Sequence, residues 1–283
     1  MTMQKTLDEV LSRPRIRAER VLIASDVHVG DRYQGHDPEL LETALELARD
    51  QDLVVLDGDL ADPRAREREV EGLVESLRDL SEEVELVVVP GNHDTLRLVR
   101  RLRRSGVSVM MRKYEERRGR GCPPGHEGPS LGGPERLKVG GWRFLIAHGH
   151  EPCGELGLEP QRPENPIAQE SPMPRRDQLL DNYTCREYEM PDRLEEIARA
   201  SGADVVVVGH THCRFLGRFG GVLAVNVGTT ACPATCATCR DPLNVGNVCL
   251  LRLSGSRIRA KLFNMREGRV VARERIRARR RGD

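Results

Sequence analysis

Aromatic residues are scarce in this chain. One Trp, four Phe and four Tyr make up 3% of its 283 residues. A core must then be built from Val, Leu and Ile, and a platform of rings for stacking bases is hard to assemble. Lysine is scarcer still: Lys5, Lys113, Lys138 and Lys261 are the only four among 45 basic residues. No apolar run approaches the ~20 residues needed to cross a bilayer, and the opening stretch is polar and charged, without a secretory core. Excess charge is missing too. The 45 basic residues against 44 acidic ones leave a formal +1, so a global positive field that would draw nucleic acid is absent. A mean hydropathy of -0.50 fits a globular protein in water. The expectation is a cytoplasmic protein with no transmembrane segment, long enough for one large core or two modest domains.

Cysteine is not scarce. Eight occur, at positions 122, 153, 185, 213, 232, 236, 239 and 249. Without a secretory signal, reduced thiols are the expected state. Cys232, Cys236, Cys239 and Cys249 cluster, but only Cys236 and Cys239 form a C-x2-C pair. That irregular spacing favours free thiols or a redox pair over structural zinc.

The N-terminal half alternates strand and helix. RVLIAS (20–25), DLVVL (52–56) and the run 84–89 read as buried strands. Residues 38–49, 64–79 and 95–104 carry helical periodicity. Such alternation implies a largely parallel sheet covered on both faces. Further strands are expected at 142–147, 205–208, 222–227, 248–253 and 258–264. Residues 115–136 read as an exposed loop rich in Gly and Pro. The stretch 151–189 is Pro-rich and polar, and starts and ends beside polar clusters, as a lid would. The domain is expected to span 1–265, with an Arg-rich tail at 266–283, frayed or disordered.

Polar clusters follow the strands, where functional side chains of such sheets gather. Six of the eight His lie in them: His28, His93, His148, His150, His210 and His212. Asp26, Asp59 and Asn92 stand alongside. A lone His in a loop is usually a satisfied polar residue, but this set is joint. Carboxylates with neutral imidazoles suit Mn, Fe, Zn or Co, and suit an oxygen-only Mg or Ca site poorly. Asp59 has two oxygens and could bridge two ions. Two ions about 3.5–4 Å apart can clamp a phosphoryl transfer and acidify a water nucleophile.

DVH at 26–28, GD at 58–59, GNHD at 91–94, HGH at 148–150 and GHTH at 209–212 resemble the calcineurin-like metallophosphoesterase superfamily. The motifs occur in that family's order, each after an expected strand. The resemblance implies an α/β four-layer fold: two mixed β-sheets packed face to face and flanked by helices. It implies Asp26, His28, Asp59 and His212 on one divalent ion, and Asp59, Asn92, His148 and His210 on a second, with Mn2+ favoured. His93 would contact the phosphate and assist the leaving oxygen, and Asp94 would orient His93. His150 would be a substrate contact. Arg175 and Arg176, in the 151–189 insert, could bind a phosphate or second anionic group.

GDLADPR and GNHD differ from the GDxVDRG and GNHE of the protein phosphatases. They are closer to the bacterial and archaeal branch, and DVHVG and GHTH are similar to UDP-2,3-diacylglucosamine pyrophosphatases. The polar insert lacks the apolar surface that acyl chains need. The expected substrate is therefore a small-molecule phosphomonoester or phosphodiester. A DNA or RNA nuclease of the same superfamily is one alternative, for which the Arg-rich tail is the local basic feature. A non-catalytic scaffold using this fold is another.

Overall fold

A computed structural model describes residues 15–32, 35–111, 135–148, 195, 197–199, 201–232 and 241–277. Fourteen of the sixteen residues in β2 (Arg20–Ser25), β3 (Leu53–Asp57) and β4 (Glu85–Val89) are buried, because near-continuous aliphatic runs are covered on both faces of a sheet. Three helices alternate with them. α1 (Pro38–Arg49) starts with Pro at its first turn, and the Asp37 carboxylate accepts from the Leu40 amide. α2 (Glu67–Glu83) starts where Glu69 reaches back to the Arg66 amide. α3 (Leu96–Arg104) is capped by the Thr95 hydroxyl.

The remaining strands are β1 (Arg15–Ile16), β5 (Ser108–Val109), β6 (Glu135–Val139), β7 (Trp142–Ala147), β8 (Val205–Val208), β9 (Arg214–Phe219), β10 (Val222–Val227), β11 (Asn247–Ser254), β12 (Arg257–Asn264) and β13 (Arg269–Arg277). They form two sheets. One has the order β1-β6-β7-β8-β10-β9, the other β13-β12-β11-β2-β3-β4-β5. β2 to β5 run parallel, and β11, β12 and β13 add antiparallel strands beside β2. Both sheets are therefore mixed, as expected.

The main core lies between the sheets, where Val21, Ile23, Val55, Phe144, Ile146, Val207 and Leu251 meet. A second apolar layer packs Leu22, Val54 and Leu56 under the helices, through Leu40, Leu73, Leu77 and Leu98. A third packs Leu145, Val206 and Ala224 of the other sheet under Ile197 and Ala198. The result is helix, sheet, sheet, helix. Among the described residues, no helix is long and apolar enough to cross a membrane.

Two expectations need correction. Residues from Arg266 are not a tail: β13 pairs with β12 along its length and belongs to the sheet. The segment expected as loop to residue 136 already contains the start of β6. Both strands carry charged residues on one face, which hides the alternation. The expected lid at 151–189 lies outside the described residues.

Candidate metal centre

Every donor stands where an apolar strand leaves the core. β2 runs into Asp26 and His28, β3 into Asp59, and β4 into Asn92 and His93. From the other sheet, β7 runs into His148, and β8 into His210 and His212. Asp26, His28, Asp59, His210 and His212 have φ of 54°, 54°, 52°, 68° and 55°. No other non-glycine among the described residues lies in this left-handed region. The conformation costs an L-residue roughly 1–2 kcal/mol. Backbone strain thus coincides with the residues picked out as donors.

The side chains converge in two groups. Asp26 Oδ1 lies 3.2 Å from His212 Nε2 and 3.8 Å from His28 Nε2. The Nε2 atoms of His28 and His212 are 3.2 Å apart. In the second group, Asp59 Oδ2 lies 3.0 Å from His148 Nε2, and His210 completes the set. Within each group of three, one ligand atom per residue falls within 4.8 Å of the others. Asp59 Oδ2 is also 3.8 Å from His28 Nε2, so this one oxygen faces both groups.

These donors fit divalent cations. All six are buried carboxylates or imidazoles, the donor set of borderline ions. Asp26 Oδ1 and Asn92 Oδ1 are buried without a hydrogen-bond partner, a costly state for a polar atom unless something else meets it. Their neighbours are held in place. Asp26 Oδ2 accepts from the Ser25 hydroxyl and from the His210 amide. The same hydroxyl is 2.6 Å from the Asp57 carbonyl. His148 Nδ1 sits 2.9 Å from that carbonyl and donates to it. That contact fixes the ring so that its Nε2 faces Asp59.

Charge follows the same pattern. Burial pushes Asp59 up, but the positive charge of His148 and His93 outweighs it and holds the carboxyl well below its usual value. Burial likewise opposes ionisation of Asp26, yet His212 and His28 bring it below the carboxylate range. Burial pulls His148 down, and Asp59 more than reverses this. Two ionised carboxylates therefore persist in a water-poor site, which is where a cation gains most.

His93 stands at the rim with 13% of its side chain exposed. Burial lowers its pKa, but the charges of Asp59 and Asp62 carry it up to about 9. Its backbone amide donates to Asp59 Oδ1 at 2.8 Å. Asp94 does not orient it, contrary to expectation. The Asp94 oxygens accept from the amides of Leu60, Ala61 and Gly91 at 2.8, 3.2 and 2.8 Å, which ties the β3 and β4 loops together. Burial, then the charge of Asp59, pushes Asp94 up to about 6. The carboxylate beside His93 Nδ1 is Asp62, at 3.8 Å.

Two motif glycines are explained by close approach. Gly58 has φ +74°, and a Cβ there would stand 2.2 Å from His148 Nδ1. The missing side chain leaves room for that ring. A Cβ on Gly209 would stand 2.2 Å from Ser25 Oγ and 2.9 Å from Asp26 Oδ2.

His150, Arg175 and Arg176 fall outside the described residues. Ser25, Asp57 and Asp62 were not singled out in the sequence. Asn226 Nδ2 donates to the Gly209 carbonyl at 3.2 Å and to Thr211 Oγ1 at 2.9 Å, steadying the loop of His210 and His212. Its signal was a lone amide in the apolar run VLAVNV. Cys213, next to His212, is disulfide-bonded, against the expectation of reduced thiols, whereas Cys249 is a free, buried thiol.

A family model described as calcineurin-like phosphoesterase matches residues 19–214. Among solved structures, vacuolar protein sorting 29 from Cryptosporidium parvum is 18% identical, with a TM-score of 0.52 over 92% of this chain and 98% of that one. The E. coli phosphoesterase YfcE is 17% identical, with a TM-score of 0.48 over 90% and 98%. An archaeal phosphodiesterase is 15% identical, with a TM-score of 0.40 over 91% and 99%. At such identity the first likeness bears on the fold alone. No curated protein matches the chain.

Proposed function

Because the chain belongs to the calcineurin-like phosphoesterases, we propose that it hydrolyses small-molecule phosphate esters at a centre of two divalent ions, Mn2+ first among Mn, Fe, Zn and Co. The observation that carries this reading is the pair of buried donor groups facing one shared oxygen, Asp59 Oδ2. Asp26, His28, Asp59 and His212 would hold one ion; Asp59, Asn92, His148 and His210 the other. Bound there, such ions supply Lewis acidity toward a water nucleophile and toward phosphoryl oxygens.

The chain's own part is positioning and proton transfer. Ser25 and the Asp57 carbonyl keep Asp26 and His148 in their orientations. In the metal-free site the charges of Asp59 and Asp62 carry His93 up to about 9, and beside bound ions Asp62 would be the group that keeps a proton on its ring. His93 stands at the open side of the centre, where a leaving oxygen can accept that proton. Asp62 steadies the imidazole from behind. Asp94 acts at one remove, by fixing the loops that carry Asp59 and Asn92. Five of the seven donors hold strained backbone, which favours a metal-binding role over a scaffold that binds no metal.

The test uses chromogenic phosphate monoester and diester substrates with metal-stripped protein reloaded with Mn2+. Asp59→Asn and His93→Ala should each lower kcat by at least about 100-fold. Only D59N should lose bound metal, measured by elemental analysis. Full activity in D59N sinks the dinuclear reading, and metal loss in H93A sinks the role given to His93. Preference for the monoester or the diester decides the substrate class, and cleavage of nucleic acid instead would favour the nuclease alternative.

A further inference from the structure

The outer face of the C-terminal strands carries a dense array of cations. Along β11, β12 and β13 the residues alternate: Leu251, Ile258, Ala260 and Ile276 point into the core, and basic residues occupy the exposed positions between. Register places like charges directly opposite one another. Arg257 pairs with Arg277, Arg259 with Arg275, and Lys261 with Arg273. Arg252 on β11 stands opposite Arg259. Like charges in facing positions destabilise a sheet. None of the seven makes an ion pair among the described residues.

The row continues to Arg20 on β2, which faces Arg252. There the chain does supply an acid: Asp52 pairs with Arg20 at 2.7 Å. Beyond that point the described residues supply none. Charge on the edge strand β13 alone would be explained by protection against strand addition. Arg252, Arg259 and Lys261 lie on interior strands, where no edge needs protecting. Around the rim of β13, a cleft adds Arg218 from the other sheet to Arg273, Arg275 and Arg277.

We propose that this face is a docking surface for the phosphate backbone of a nucleic-acid duplex. Strands about 4.8 Å apart, with exposed residues about 6.8 Å apart along each strand, form a rigid flat grid of charge. Six of the seven cations are Arg, whose planar fork pairs with phosphate oxygens. Among the described residues no exposed ring stands beside them to form a stacking platform for single-stranded bases. A lipid surface is the other polyanion of this charge, but interfacial binding also draws on apolar anchors. Among the described residues the exposed large hydrophobic is Leu96, on α3 near the opposite edge of the sheet. The face lies at the start of β2, whereas the metal centre lies at its end. It is therefore a tether separate from the site of hydrolysis, and its existence does not depend on the reaction proposed there. The near-zero net charge conceals it.

The experiment is fluorescence-anisotropy titration of the full chain with a labelled 30-base-pair DNA duplex of arbitrary sequence, at several salt concentrations. Gel electrophoresis checks that the duplex stays intact. For about four phosphates engaged, affinity should fall roughly 100-fold between 50 and 200 mM salt. The quadruple variant Arg259→Thr, Lys261→Thr, Arg273→Thr, Arg275→Thr should lose at least tenfold in affinity at 100 mM salt, with a flatter salt dependence and an unchanged circular dichroism spectrum. A second variant, Arg279→Gln, Arg280→Gln, Arg281→Gln, tests the basic residues that follow β13, and should retain most of the binding. Three results overturn the proposal: equal affinity in the quadruple variant, loss of binding only in the second variant, or binding to phosphatidylserine vesicles but not to the duplex.

Discussion

Asp26 uses its two oxygens for different ends. Oδ2 is committed to the Ser25 hydroxyl and the His210 amide, and Oδ1 is kept clear toward His212 and His28. Division of this kind is what an outer hydrogen bond does for a ligand. Ser25→Ala should therefore weaken Mn2+ binding roughly 10- to 100-fold, measured by calorimetric titration. The fold should lose no more than about 1 kcal/mol, the worth of one hydrogen bond. An unchanged Mn2+ affinity would remove Ser25 from the centre. At this scale the sequence showed the residues that converge in the two groups, because polar residues closing aliphatic runs are visible one by one. It did not show which carboxylate serves His93. Chain adjacency suggested Asp94, but the β4 turn directs that side chain to three backbone amides, and Asp62 arrives from another loop. Neighbours made by two loops leave no mark on either one.

Strands and helices tell a related story. β2, β7, β8 and β10 stand where their apolar runs indicated, because strands buried on both faces have no other pattern to hide behind. β9, with RFLGRF, and β13, with RVVARERIR, are half exposed; β9 is not among the expected strands, and β13 reads as part of a tail. Each sheet also fastens a parallel pair at its starting end with an Arg–Asp fork. Arg20 binds Asp52, and Arg143 binds Asp204 through both Nε and a terminal nitrogen. Asp52 also accepts from the amides of Glu19 and Arg20. The Arg20 hydrogen bond leads in lowering Asp52 to about 2 from 3.8, with burial opposing it. A depressed carboxylate stabilises the fold above its unfolded pKa and ceases to do so as pH falls through its folded one. Asp52→Asn should thus cost about 1 kcal/mol at pH 7, allowing for solvent screening of a partly exposed pair. That difference should shrink from pH 4 downward and vanish near pH 2, as followed by urea unfolding. A cost independent of pH would assign the effect to packing.

The whole molecule is organised around a seam. Asp26, His28, Asp59 and Asn92 come from the strands of one sheet, and His148, His210 and His212 from those of the other. Ions held there would fasten the two sheets together at one end and offset the strain of five left-handed donors. Ligand at 1,000 times its dissociation constant stabilises by about 4 kcal/mol, or roughly 10 °C in Tm for a domain of this size. Thermal melts in excess Mn2+ and in chelator should differ by about that amount for the native chain, and by far less for D59N. Equal melts would mean that the seam is closed by protein contacts alone. The path of the chain adds a matter of timing. β2 is flanked on one side by β3, made soon after it, and on the other by β11, where Cys249 pairs with Ile23. At about 5–20 residues per second, the ribosome needs on the order of ten to forty-five seconds to deliver that second neighbour. For that interval the nascent chain holds out a bare aliphatic edge, open to any other strand in the cell. A product released short of β11 would keep that edge for good, so completion of the C-terminal strands doubles as the step that makes the newborn chain safe from aggregation.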